Sequence, residues 1–131
     1  METVRQISVS LENKSGMLAK LCRCLADRLI NITAISVVET TEQGVVRLVV
    51  DKPDEAMSAL KECALGSSQT NVLLIELPNE VGALADMTEK LTQRNININF
   101  VYGSTICGQA HAFIVLGTAD INAAREALPA G

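Results

Sequence analysis

The sequence predicts an α+β protein built from two consecutive copies of one β-α-β-β-α unit. Two observations indicate this organisation. A short segment, Asn-x-x-Gly-x-Leu-Ala, occurs at residues 13–19 and again at residues 79–85. A second segment, Ile-Asn-Ile, occurs at residues 30–32 and 96–98, and both pairs are separated by 66 residues. Because two separate motifs rarely share one offset by chance, we infer an internal duplication.

We expect the first repeat to cover residues 1–70 and the second to cover residues 71–131. Apolar and polar residues alternate from Ile7 to Glu12, which is the period of a strand with one buried face. Apolar residues then recur at helical spacing, and this stripe is repeated in the second copy. Its members are Leu18, Leu21, Cys22 and Leu25 in the first copy, and Leu84, Met87, Thr88 and Leu91 in the second.

Two further strands and a closing helix follow in each copy. The predicted strands cover residues 31–40 and 45–50 in the first copy, and 97–105 and 110–116 in the second. We expect turns between them at Thr41–Gly44 and Cys107–Gln109. Pro53 suits the first turn of one closing helix, and Asp120 suits the N-cap of the other.

A unit of this order, with amphipathic helices, packs most simply as an antiparallel sheet with both helices on one face. A fourth strand completes a ferredoxin-like βαββαβ unit, and we expect two such units with their sheets side by side. The first copy can take its fourth strand only from residues 66–70. The second copy has no segment left for this strand. Three possibilities therefore stay open: a free sheet edge for a partner, an exchange of strands between the copies, or an abbreviated end.

The composition argues against nucleic-acid and membrane-spanning functions. The net charge is −4 without any basic run, whereas nucleic-acid binders need clustered Lys and Arg. No apolar run approaches the roughly 20 residues that span a bilayer, and the amino-terminal sequence leaves no room for a signal peptide. We therefore expect a cytoplasmic protein. The 48% of hydrophobic residues suggests burial between subunits, and hence a homodimer or higher homo-oligomer.

The four cysteines, Cys22, Cys24, Cys63 and Cys107, lack the spacing of metal ligands. Cys22 and Cys24 are two apart on a helix and point to different faces. In a reducing cytosol we expect all four to be small hydrophobic residues rather than disulfides or zinc ligands. His111 has no companion cysteine or carboxylate in the sequence pattern, so we expect a structural role. No metal and no cofactor are expected.

The repeated segment places an asparagine and a glycine where the first strand turns into the first helix. Gly16 and Gly82 permit a backbone geometry that a side chain would block. The helix N-terminus that follows offers unpaired N–H groups, which suit a carboxylate or another small anion. Asn13 and Asn79 carry amides that can meet both an ammonium and a carboxylate. The alternative is that these residues only cap the helix and turn the chain.

Two further asparagines favour a ligand site over simple capping. Asn31 and Asn97 each follow the loop asparagine by 18 residues and open the second strand of their copy. Capping does not require them. The predicted ligand-binding set is Asn13, Gly16, Met17, Leu18 and Asn31 in the first copy, and Asn79, Gly82, Ala83, Leu84 and Asn97 in the second.

These motifs resemble those of the ACT domain, the small-molecule-binding regulatory module of amino-acid metabolism. The order of Gln6–Val9, Glu12–Lys14, Ile30–Ile32 and Val46–Val50 is similar to that of stand-alone tandem-ACT proteins of bacteria and archaea. In the ACT domain that closes phosphoglycerate dehydrogenase, a serine effector is held by the loop asparagine and by an asparagine that opens the second strand of the neighbouring domain.

The resemblance implies a pairing of asparagines across an interface, Asn13 with Asn97 and Asn79 with Asn31. The serine site of that family member also uses a histidine two residues before the loop asparagine. This chain has leucines there, at positions 11 and 77. They indicate a less polar pocket, for an aliphatic or aromatic amino acid.

The leading hypothesis is therefore a non-enzymatic, allosteric regulatory protein that binds an amino acid between ACT units and acts on an enzyme that the sequence does not identify. The alternative is a ligand-free structural or oligomerisation module with the same fold, which the missing histidine and the high apolar content favour. An enzyme such as an acylphosphatase would need an arginine in the strand-to-helix loop. Neither residues 13–16 nor residues 79–82 contain one.

Overall fold

The computed structural model describes residues 1–39 and 43–128, which form six strands and four helices. The first repeat contains β1 (Glu2–Glu12), α1 (Met17–Ala26), β2 (Ile32–Glu39), β3 (Gln43–Val50) and α2 (Pro53–Glu62). β4 (Ser67–Pro78) leads into the second repeat, which continues with α3 (Ala83–Gln93), β5 (Phe100–Ser104), β6 (His111–Gly117) and α4 (Ile121–Ala127). This element order confirms the predicted fold class. None of the described helices is long and apolar enough to cross a bilayer.

The chain divides into two compact units. The first unit comprises Arg5–Thr70, and the second comprises Met1–Val4 together with the described residues from Asn71 onward. The strand order is β2-β3-β1-β4 in the first unit and β1-β4-β6-β5 in the second. Each unit therefore has the four-stranded order of a ferredoxin-like domain. The boundaries of the sequence repeats, at residues 70 and 71, stay a prediction.

The two long strands, β1 and β4, are each divided between the units. Residues 5–12 of β1 form the first strand of the first unit, whereas residues 2–4 belong to the second unit as its fourth strand. Residues 67–70 of β4 complete the first unit in the same way. The missing strand of the second copy is thus supplied by an exchange of strands between the copies. In the second unit, Arg125 Nη1 donates a hydrogen bond of 2.8 Å to Thr3 Oγ1 and so connects α4 to the exchanged segment.

In the first unit both helices pack on one face of the sheet. The alternation predicted for β1 is confirmed, because Ile7, Val9 and Leu11 are at most 5% exposed. They share one core cluster with Leu21 and Leu25 of α1 and with buried residues of β3 and α2. Pro53 occupies the first turn of α2, as predicted. The predicted turn at Thr41–Gly44 lies largely outside the described residues.

The expectation that no cysteine forms a disulfide is wrong for two of the four. Cys24 on α1 and Cys63, the C-cap residue of α2, form a disulfide. The prediction considered only the spacing of close neighbours such as Cys22 and Cys24. The bonded residues are 39 apart in the sequence and meet because both helices pack on the same core. Cys22 and Cys107 are free thiols. The described residues contain no cluster of His, Cys, Asp or Glu that could hold a metal ion.

The second unit repeats this architecture around its own core cluster. Leu73 of β4 and Leu116 of β6 are fully buried, and Met87 and Leu91 of α3 pack against them. The N-cap predicted for α4 is confirmed, since the Asp120 carboxylate accepts a hydrogen bond of 3.0 Å from the Ala123 N–H.

Arg5 connects three segments of the first unit. Its Nη1 donates to Asp54 Oδ1 at 2.7 Å and to Gln69 Oε1 at 3.2 Å. Asp54 lies in the first turn of α2, where a negative charge complements the helix dipole, and Gln69 lies in the segment of β4 that completes this unit. The hydrogen bond and the charge of Arg5 hold the pKa of Asp54 below its ordinary value of 3.8.

This ion pair gives a prediction for the pH dependence of stability. A carboxyl group with a lowered pKa in the folded state stabilises the fold above its unfolded pKa, and the contribution is lost as the pH falls through the folded value. Between about pH 5 and pH 2 the free energy of unfolding should therefore fall more steeply in the wild type than in Asp54→Asn. Urea titrations at a series of pH values measure this. Arg5→Gln should reduce the slope in the same way, and equal slopes in all three proteins would contradict the prediction.

Candidate functional site

In the first unit four of the five predicted site residues, Asn13, Gly16, Met17 and Leu18, lie at the junction of β1 and α1. Gly16 is the N-cap residue of α1 and has φ 90° and ψ −13°, in the left-handed region that favours glycine. A Cβ added to it would meet no atom within 4 Å, so the backbone conformation rather than a close contact requires the glycine. As a glycine, the N-cap residue offers no side-chain cap to this helix.

The junction of β4 and α3 in the second unit has the same geometry. Gly82 is the N-cap residue of α3, with φ 90° and ψ −9°, and it too has open space around its Cβ position. Gly82 likewise offers no side-chain cap to α3. The N-cap residue of each helix is thus the glycine and not the loop asparagine.

Asn79 has a different local role in the second unit. Its Nδ2 donates a hydrogen bond of 2.9 Å to the carbonyl oxygen of Gln109, and its backbone N–H donates to the carbonyl oxygen of Ala110 at 2.9 Å. These bonds connect the loop after β4 to the turn between β5 and β6. The turn itself is as predicted, with the Gln109 N–H donating to the carbonyl oxygen of Ile106 at 3.0 Å.

The residue two positions after each glycine is an exposed leucine. Leu18 is 42% exposed and Leu84 is 47% exposed, so their assignment to the buried helix stripe is wrong. In α1 the stripe that faces the core starts at the half-buried Met17 and continues at Leu21 and Leu25. A residue one step further along a helix is rotated by about 100°, which turns Leu18 and its counterpart away from the core.

The two strand-opening asparagines differ in their surroundings. Asn31 is exposed and directly precedes β2, where its backbone N–H donates to Asp51 Oδ1 at 3.0 Å and its carbonyl accepts from the Asp51 N–H at 3.1 Å. Asn97 precedes β5 by three residues, because β5 begins at Phe100 and not at the predicted position 97. The Thr118 hydroxyl donates to the Asn97 carbonyl at 2.9 Å, so a side chain replaces the strand ladder there.

The predicted residues of each copy belong to one unit, but the two asparagines of a copy lie at opposite ends of its sheet, because the strand that Asn31 or Asn97 precedes runs parallel to the strand that ends before Asn13 or Asn79. Asn13, Gly16, Met17, Leu18 and Asn31 belong to the first unit, and Asn79, Gly82, Ala83, Leu84 and Asn97 belong to the second. The pairing of Asn13 with Asn97, and of Asn79 with Asn31, joins residues of different units and stays a prediction.

A cleft of about 490 Å³ lies within the second unit, and the sequence motifs did not indicate it. It is bounded by the end of β4, the loop that follows, one face of α3, and His111. His111 is exposed, and its Nδ1 lies 3.4 Å from Glu76 Oε1, so this histidine does have a carboxylate neighbour. Adjacent antiparallel strands bring the two residues together, since His111 pairs with Pro78 in the ladder of β4 and β6.

Comparisons with known proteins agree with this architecture. The family model of an ACT domain pair matches residues 2–129. The crystal structure of protein BT0572 from Bacteroides thetaiotaomicron superimposes with a TM-score of 0.90 at 31% identity, covering 95% of this chain and 85% of that one. The ligand-free regulatory subunit of aspartate kinase from Thermus thermophilus gives a TM-score of 0.68 at 18% identity, with 97% and 95% covered.

The regulatory subunit of aspartate kinase from Thermus flavus is similar to the same degree, with a TM-score of 0.68 at 19% identity over 97% of this chain and 90% of that one. A search of curated proteins finds no match. The family match covers nearly the whole chain, and each unit has the expected strand order. This chain therefore belongs to the family of ACT domain pairs.

Proposed function

We propose that this protein is a non-enzymatic regulatory protein that binds a free amino acid at the loops between the first strand and the first helix of its ACT units. The observation that supports this most is the repetition of one local geometry. Gly16 and Gly82 adopt the same left-handed conformation as the N-cap residue of a helix, and neither has a side chain to cap it. An exposed leucine, Leu18 or Leu84, follows each of them.

This geometry suits the common part of an amino acid. The first turn of an α-helix has N–H groups without intrahelical partners, and these favour a carboxylate. The Oδ1 atom of Asn79 is an acceptor suited to an ammonium group, while Nδ2 of the same residue donates to Gln109. Leu18 and Leu84 offer apolar surface for a side chain. The half-buried Leu77 favours an aliphatic or aromatic ligand, whereas Leu11 is buried in the core of the first unit.

The proposed site is shared between ACT units of a homo-oligomer, with Asn13 opposite Asn97 and Asn79 opposite Asn31. A ligand that contacts two units stabilises the arrangement in which they meet, so its binding shifts the oligomer or exposes a surface for a regulated enzyme. The fold shared with aspartate kinase regulatory subunits supports a regulatory role. We place the protein in the cytoplasm, where free amino acids are sensed.

Isothermal titration with each of the twenty amino acids tests the proposal. We expect at least one to bind, and we expect Asn13→Ala and Asn79→Ala to weaken it roughly tenfold, because each removes hydrogen bonds to a charged group. Asn71→Ala, an exposed asparagine outside both loops, is the matched control and should leave the affinity unchanged. No binding heat from any amino acid at millimolar concentration would sink the proposal.

A ligand-free oligomerisation module is the second candidate, and the edge strand of the first unit favours it. β2 is at the sheet edge of this unit, and Ile35, Val37 and Val38 are 43%, 52% and 40% exposed. Edge strands with exposed apolar residues tend to pair with other chains. Light scattering would support this candidate if the oligomer were unaffected by amino acids and by replacement of Asn13 and Asn79.

A further inference from the structure

We propose that Cys24 and Cys63 form a reversible redox site, which a dithiol reductant opens and a peroxide closes, and which sets how firmly the C-terminal ends of α1 and α2 are joined. Disulfides in the cytosol are usually transient and redox-sensing rather than permanent. The inference thus rests on the cytoplasmic location proposed above. It does not rest on the amino-acid site, because neither cysteine belongs to that site.

The two cysteines differ in their access to solvent. Cys24 lies within α1, is 8% exposed and belongs to the core cluster of the first unit. Cys63 is half-buried at the end of α2, between the exposed residues Glu62 and Ala64. Thiol–disulfide exchange requires the attacking thiolate to reach one of the two sulfur atoms. We therefore expect an external thiolate to attack Cys63 Sγ and to release Cys24.

Opening the site moves two electrons and two protons from the reductant to the pair. One thiolate of the reductant bonds to Cys63 Sγ and breaks the bond to Cys24, which leaves as a thiolate and takes up a proton. The second thiol of the reductant then attacks the reductant sulfur of this mixed disulfide. Cys63 is released and protonated, and the reductant leaves as a disulfide.

Closing the site consumes one peroxide. The Cys63 thiolate attacks the O–O bond, becomes a sulfenic acid and releases an alcohol, or water where the oxidant is hydrogen peroxide. The Cys24 thiol then attacks the Cys63 sulfur and re-forms the disulfide, and the sulfenic oxygen leaves as water. The peroxide thus accepts the two electrons that the pair loses.

The surroundings of Cys24 accommodate the reduced form. The carbonyl oxygen of Ala59 lies 3.2 Å from Cys24 Sγ, so it can accept a hydrogen bond from the thiol that reduction creates. Leu21 and Leu25 of α1 and Leu60 of α2 are fully buried in the same core. This apolar contact does not depend on the disulfide, so the reduced unit keeps its fold.

At the ends of the two helices the disulfide has little support. The ion pair between Arg28 and Glu62 connects the same two segments. Its side chains are 41% and 66% exposed, and exposed ion pairs contribute little to stability. Reduction should therefore leave the buried middle of both helices in place and loosen their C-terminal turns.

The second copy does not share this site. At the offset of 66 residues, Lys90 takes the place of Cys24. Neither α3 nor α4 contains a cysteine. Among the described residues the covalent link between helices is therefore confined to the first unit, and the helices of the second unit serve as an internal control.

The kinetics of reduction test the proposal. In the full chain with C22S/C107S, Cys24 and Cys63 are the remaining cysteines. Dithiothreitol should reduce the native protein at a rate proportional to its concentration. Urea below the unfolding transition should change this rate by less than about twofold, because the attack does not require the surface that unfolding exposes. A rate that rises steeply with urea, or that stops rising with dithiothreitol, would show that the bond opens only through unfolding and would overturn the proposal.

Trapping identifies the attacked sulfur and tests the reverse reaction. With glutathione, a monothiol, an acid quench and peptide mapping should find the mixed disulfide on Cys63. An adduct on Cys24 in equal or greater yield would contradict the direction of attack. Hydrogen peroxide added to the reduced protein should re-form the disulfide and block alkylation of both cysteines. Accumulation of sulfenic or sulfinic acid without the disulfide would show that the site is not reversible.

Hydrogen exchange measures the structural consequence. Reduction should accelerate amide exchange in the last turns of α1 and α2 roughly tenfold or more, because these turns open locally, while α3 and α4 exchange as before. Cys63→Ser should exchange like the reduced protein in both conditions, whereas Cys22→Ser should respond like the wild type. Unchanged exchange in α1 and α2 would contradict the proposed loosening. None of these measurements uses an amino acid, so their outcome is separate from that of the ligand titrations.

Discussion

Reduction of the disulfide between Cys24 and Cys63 is expected to lower the free energy of unfolding by up to about 4 kcal/mol. The bond joins residues 39 apart and encloses β2, β3 and all of α2. A loop of this length restricts the unfolded chain enough to give a stabilisation of about this size in the chain-entropy model. The reduced protein should still fold, because the core of the first unit and the ion pair between Arg28 and Glu62 remain.

Urea unfolding with and without a reducing agent measures this effect. Cys63→Ser should unfold at the lower urea concentration of the reduced wild type, and a reducing agent should not shift it further. Cys22→Ser is the control, because Cys22 is a free thiol and its replacement should leave the difference between oxidised and reduced protein intact. Alkylation should label two cysteines in the oxidised protein and four in the reduced one. The same transition with and without reductant would contradict the prediction.

The parts of the fold that local patterns determine were predictable from the sequence. The two-residue period of Ile7, Val9 and Leu11 identifies a strand with one buried face, and burial of all three follows. Pro53 and Asp120 identify helix starts because their chemistry suits a helix terminus whatever lies around it. The duplication strengthens these predictions, because a pattern that is ambiguous in one copy can be compared with the same pattern in the other.

Features that depend on distant residues were not predictable in the same way. The sequence leaves three possibilities for the missing strand, and the backbone pairing of residues 2–4 decides between them. The disulfide joins Cys24 to Cys63 because two helices pack side by side, which no spacing rule shows. β5 is shorter than predicted, and ahead of it the Asn97 carbonyl accepts a hydrogen bond from the hydroxyl of Thr118, 21 residues away.

The candidate sites differ in the same respect. Gly16 and Gly82 are identified by a repeated motif, and their matching left-handed conformations agree with it. The cleft beside α3 includes Glu80, Val81 and Ala83 of the repeated motif, but the strand and helix residues that complete its lining, such as Ile75 and Met87, come from outside the motif, so the motif alone does not indicate it.

Replacement of Gly103 by alanine is expected to destabilise the second unit by about 3 kcal/mol, because the glycine lies where β5 approaches β6 most closely. A Cβ there would lie 2.2 Å from the carbonyl oxygen of Phe113 and 2.8 Å from the Cα of Ile114. Both are backbone atoms of the paired strand, so relief requires the strands to separate, and overpacking of this kind costs about 1–3 kcal/mol or more. The glycine therefore permits a close approach of the two strands at this position.

Two other glycines serve as controls in the same urea titrations. Gly66→Ala should change the free energy of unfolding by less than about 0.5 kcal/mol, because its Cβ position is open and its φ lies outside the left-handed region. Gly117→Ala should have an intermediate cost, since its Cβ would meet the ring of Phe100, a side chain that can rotate away. Equal free energies of unfolding for Gly103→Ala and Gly66→Ala would contradict the prediction. A loss of stability in Gly103→Ala alone would show that the pairing of β5 with β6 depends on a glycine at this position.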